Sequence, residues 1–101
     1  MIKDVYRYGF QPCVPLEEVE ASLLLALMAT ESLHGEAQVR LDAAHYLDVD
    51  QRACVIEAGT PVGRDLNRLF VGFFRREFGE DAFQVERVDS VPQHESQEVC
   101  A

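Results

Sequence analysis

No apolar run in this 101-residue chain approaches the roughly 18 residues that a membrane-spanning helix needs. Met1-Ile2-Lys3-Asp4 does not lead into the apolar core of a signal peptide, so the expected location is cytoplasmic. Cysteine is sparse and odd in number. Cys13, Cys54 and Cys100 lie far apart, which argues against a disulfide framework and suits a reducing compartment, with Cys54 read as a small buried hydrophobe. Positive charge is scarce too. The formal net charge of −9 repels polyanions at long range and disfavours non-specific binding to DNA, RNA or an acidic membrane surface.

The usual signatures of chemistry are missing as well. There is no Cys-x-x-Cys and no His-x-x-x-His, so a zinc site would have to be assembled from distant residues such as Cys13, Cys54 and His45. Neither a Walker pattern nor Gly-x-Gly-x-x-Gly occurs, and Ser22, Ser32, Ser90 and Ser96 have no local signature of activation. The run Arg68-Leu-Phe-Val-Gly-Phe-Phe74 lacks the glycine and aromatic order of an RNA-recognition strand and has better helical than alternating periodicity. No cofactor, metal or catalytic residue is expected, and an enzyme is the least supported class.

What is present describes one ordinary folded domain: 48% hydrophobic and 27% charged residues, in a chain of domain length. Residues 5–10 suit a strand by their aromatic content, with Pro12 and Pro15 close behind. Pro15, Glu17 and Glu18 favour a helix start, and Leu16, Val19, Leu23, Ala26, Leu27, Thr30 and Leu33 recur at helical spacing until Gly35. Residues 37–47 alternate, with Val39, Leu41, Ala43 and Leu47 on one side, and predict a half-buried strand. Asp48-Val49-Asp50 reads as a turn into a second short strand over 52–58, which makes a hairpin. Val62, Leu66, Leu69, Phe70 and Phe73 mark a helix from Pro61 to about Phe78, and residues 83–88 alternate as a last strand. Residues 89–101 read as a loose polar tail, leaving 1–88 as the domain.

This order predicts an α+β fold with two helices on one face of a mainly antiparallel sheet of three or four strands. In element order alone it resembles the ferredoxin-like βαββαβ pattern, which implies nothing about activity.

Two features bear on function. The first is "EAGTPVGRDL", residues 57–66, where Thr60 and Pro61 make a good helix start. They leave Gly63 and Arg64 unexplained. A helix amino end exposes N–H groups, and Arg64, Arg68 and Arg75 fall within about 40° of one another on a helical wheel. Thr60, Gly63, Arg64 and Arg68 are therefore candidate contacts for a small phosphate- or carboxylate-bearing ligand. Asp65, Glu77, Glu80 and Asp81 could equally pair with those arginines, leaving an ordinary charged surface strip.

The second feature is on the first helix, where Ala21, Leu24, Leu25 and Met28 lie outside the main apolar stripe. Val71, Phe74 and Phe78 do the same on the later helix. Either the helices bury these residues against each other, or a second copy of the chain covers them. Two lone histidines have modest readings: His34, paired in spacing with Glu31, suits a helix carboxy end, and His45 suits a hydrogen-bonded, partly buried strand position. The favoured function is a small non-enzymatic interaction or regulatory domain that self-associates. The alternative is an anion-binding module.

Overall fold

The computed structural model describes residues 4–88, and the tail expected at 89–101, with Ser90, Ser96 and Cys100, lies outside them. Eight segments follow in order: β1 (Val5–Phe10), α1 (Leu16–His34), α2 (Glu36–Asp42), β2 (His45–Asp48), β3 (Ala53–Glu57), α3 (Pro61–Phe78), a 3-10 turn (Glu80–Ala82) and β4 (Phe83–Val88). The fold is α+β, with three helices and a four-stranded antiparallel sheet in the order β2-β3-β1-β4.

β1 is central despite the two prolines behind it, because both fall after the strand has ended. Its loop is clamped instead by Arg52, whose Nη2 donates to the carbonyl of Gln11 at 2.8 Å and to that of Val14. Phe10 N donates to the Arg52 carbonyl at 3.0 Å, so one residue of the β2–β3 turn holds both ends of that loop.

The strand expected over 37–47 is a helix for most of its length. α2 occupies Glu36–Asp42 and only His45–Asp48 is extended. Alternation of polar and apolar residues is also compatible with i,i+4 pairing. Glu36 and Arg40 form such an ion pair at 3.3 Å, and Gln38 donates to Asp42. Val39 alone of this helix is buried, while Leu41 is 79% exposed, so the parity that suggested one apolar strand face does not exist. Gly35, at φ 89°, supplies the backbone conformation that ends α1 and lets α2 begin directly. The expected two helices are three.

One core draws Tyr8, Phe10, Cys54 and Ile56 from the sheet, Val19, Leu23 and Ala26 from α1, and Leu66, Phe70 and Phe74 from α3. Its centre is aromatic: Phe74 lies 5.1 Å from Phe10 and 5.4 Å from Phe83, ring centre to ring centre. Thr30 is buried within α1 and satisfies its hydroxyl by donating to the Ala26 carbonyl at 2.7 Å.

Candidate functional site

Gly63, the anomaly of the helix start, has an internal cause. A Cβ placed there would stand 2.1 Å from the Glu57 carbonyl oxygen, so the small object that approaches is the end of β3. Thr60 is likewise engaged within the chain. Its Oγ1 accepts from Gly63 N at 2.9 Å and donates to the Asp42 carbonyl at 2.9 Å, tying α3 to the end of α2. These bonds explain both residues without a ligand.

The arginines face elsewhere. Arg64, Asn67, Arg68, Val71, Gly72 and Arg75 share one side of α3 and border a groove between that helix and strands β1 and β4. Its main part encloses about 450 Å³, and Tyr6, Tyr8, Phe83 and Val85 form the strand wall. A second hollow of about 250 Å³ shares Tyr6, Asn67 and Arg68 and reaches Arg64 and Asp4. The Tyr8 hydroxyl donates to Asn67 Oδ1 across the floor, and burial pushes its pKa up to about 12. Tyr8 is therefore a neutral donor and not a base.

The charge pairs of this region differ from the simple strip of salt bridges. Asp65 meets His34 Nε2 at 2.7 Å, and Arg75 meets Glu80 at 3.5 Å. Asp4 is held by Arg87, whose guanidinium also lies 5.9 Å from the Tyr6 ring centre. Among the described residues, Arg64 and Arg68 take part in none of the ion pairs. Glu31 is not His34's partner; Asp65 is.

On α1 the outward residues stay outward. Leu24, Leu25 and Met28 are 55%, 50% and 63% exposed, and Ala21 is exposed beside them. The flank of α3 is different, since Phe74 is buried and Val71 and Phe78 pack against the core. Mutual burial thus accounts for α3 and not for α1. The α1 face continues into a hollow of about 400 Å³ against the edge strand β2, bordered by Glu20, Leu24, Leu27, His45 and Leu47. His45 is at the surface there, and desolvation by this apolar margin holds its pKa below the usual histidine value.

Cys54 is buried and its thiol is pushed up to about 12 by desolvation, which leaves it inert, whereas Cys13 is exposed. Among the described residues no three His, Cys, Asp or Glu side chains gather where a metal ion could sit, and Cys13, Cys54 and His45 are not brought together as a set. No described helix is long and apolar enough to cross a membrane.

Sequence reasoning located Arg64, Arg68 and Arg75 but missed Tyr6, Asn67 and Gly72. Gly72 carried a readable signal, a glycine in mid-helix with no capping role, whereas the strand wall becomes visible only once β1 and β4 pair. Comparison with known proteins finds no matching family model, no matching curated protein and no matching solved structure.

Proposed function

We propose that this protein is a small non-enzymatic interaction domain that self-associates as a homodimer through the outward face of α1. The observation that supports it is the row of large apolar side chains, Leu24, Leu25 and Met28, left in solvent, whereas on the comparable flank of α3 Phe74 is buried and Val71 and Phe78 are partly buried against the core.

A second copy suits this face better than an unrelated partner because the row is self-complementary. A two-fold axis passing between Leu24 and Leu25 places Met28 of one protomer opposite Ala21 of the other, a long flexible side chain against the smallest one in the row. Leu24 then meets Leu25. The same operation sets Ser32 opposite Glu17, so the row is closed at both ends by polar residues.

The finer reading of the architecture, a ferredoxin-like arrangement with α2 added ahead of β2, rests on two interleaved β–α–β units. β1 and β2 run parallel with β3 between them, and β3 and β4 run parallel with β1 between them. Cys13 and Cys54, which form no disulfide among the described residues, support a reducing, cytoplasmic setting.

Light scattering on purified protein tests the dimer. The expected mass is twice the 11.4 kDa of the chain, falling to one chain for Leu24→Glu or Met28→Glu with circular dichroism unchanged. A monomeric wild type, or a dimer indifferent to both changes, overturns the reading.

A further inference from the structure

The groove between α3 and the β1–β4 pair lies away from the α1 face, and its lining is unusual for this chain. Four of the eight arginines fall between positions 64 and 76 of a protein whose net charge is −9. Two of them, Arg64 and Arg68, stand one helical turn apart on the rim with no carboxylate partner among the described residues. Among the described residues the one carboxylate that borders the groove, Asp4, is already paired with Arg87. Among the described residues the rim therefore carries two guanidinium charges, those of Arg64 and Arg68, that no ion pair offsets. Beneath it the walls are apolar and aromatic: Tyr6, Phe83, Val85 and Val71.

Gly72 points to the same place by a separate route. Glycine within a helix costs up to about 1 kcal/mol relative to alanine, and such a cost usually has a steric cause. Gly63 has one. Gly72 has none, because a Cβ there meets nothing within 4 Å and its backbone is ordinary helix. What the missing side chain leaves is open space in the groove, of which Gly72 is part of the lining. A residue that weakens its helix, relieves no clash and keeps a cavity open fits a ligand-binding role better than a structural one.

We propose that this groove binds a small phosphomonoester carried on a flat apolar ring, with the phosphate held by Arg64 and Arg68 and the ring lying between Tyr6 and the space over Gly72. Phosphate is favoured over carboxylate by charge, since a phosphomonoester carries about −1.5 to −2 at pH 7 and two guanidiniums match it, whereas a carboxylate carries one negative charge. The volume of about 450 Å³ suits a molecule of mononucleotide size. Asn67, held by the Tyr8 hydroxyl through its Oδ1, keeps its amide N–H groups available to a ring acceptor.

The test is a thermal-shift and calorimetric titration of the full chain with adenosine and uridine monophosphates, phenyl phosphate, adenosine, benzoate and inorganic phosphate. Ring-bearing phosphates are expected to raise Tm by several degrees at millimolar concentration, with adenosine, benzoate and inorganic phosphate giving little or no shift. Arg64→Ala and Arg68→Ala should each weaken binding by about ten- to a hundredfold, the range for losing a charge-assisted contact. Gly72→Leu changes no charge and meets open space, so it should fold, match or exceed the wild-type Tm without ligand, and lose the shift. The proposal is overturned if no ring-bearing phosphate shifts Tm. It fails equally if adenosine or benzoate serves as well as the phosphates, or if Gly72→Leu binds as the wild type does.

Discussion

Two glycines nine residues apart in one helix show how differently the same residue can be justified. Gly63 sits where α3 is pressed against the end of β3, and the 2.1 Å approach to the Glu57 carbonyl leaves no room for a methyl group. Gly63→Ala should therefore destabilise the protein by about 1–3 kcal/mol through forced displacement of the helix start, overriding the gain of up to about 1 kcal/mol that alanine brings to a helix. Gly72→Ala should show only the gain. Urea denaturation of the two variants beside wild type checks both signs at once, and a stabilised Gly63→Ala would mean that α3 can slide off β3 freely. The sequence marked Gly63 as anomalous and suggested something small beside it. That the neighbour is backbone from residue 57 is a tertiary fact that no local pattern encodes. Cys54 was easier, because an isolated cysteine in a run of valine and isoleucine has few fates other than burial.

At the scale of elements, the long helices were legible and the short one was not. α1 and α3 carry 19 and 18 residues of sustained periodicity with clear stops at Gly35 and Gly79, whereas α2 has seven residues and only one buried side chain, Val39. Seven residues are too few for the two periods to separate, and the pairs Glu36–Arg40 and Gln38–Asp42 are i,i+4 contacts that a helix makes and a strand does not. β2 begins at His45 as a consequence, and His45 borders the same hollow as Leu24, Leu27 and Leu47, with Glu20 and Tyr46. Desolvation lowers its pKa, so as pH falls through the ordinary histidine value near 6.5 the unfolded chain binds more protons at this position than the folded one. Stability from this group is then complete above the unfolded value near 6.5 and declines as pH falls below it. His45→Gln should lose less stability than wild type between pH 7.5 and 5.5, measured as the urea midpoint, the comparison cancelling every other titrating group. Identical slopes would show that the ring is fully hydrated in the fold.

For the whole molecule the strand order β2-β3-β1-β4 matters most, because it sets the two candidate surfaces at opposite ends of one sheet. The α1 face adjoins β2 at one edge, and the arginine-rimmed groove adjoins β4 at the other. Surfaces so separated should act independently: Leu24→Glu should abolish the dimer while leaving phosphomonoester binding intact, and Gly72→Leu should do the reverse. Salt distinguishes them further, since each process has its own charge balance. Two chains each bearing −9 repel one another as they approach, so the dimer, joined by apolar contacts, should tighten as sodium chloride rises from about 20 to 300 mM and the Debye length falls from about 20 Å to about 6 Å. The groove opposes positive arginines to a negative ligand, and the same salt should weaken it. Dimer dissociation constants from light scattering and ligand affinities from calorimetry, measured over one salt series, should therefore move in opposite directions. Parallel movement would mean that one of the two events does not have the charge balance assigned to it: either the dimer is joined by opposite charges, or the ligand is not held by the arginines.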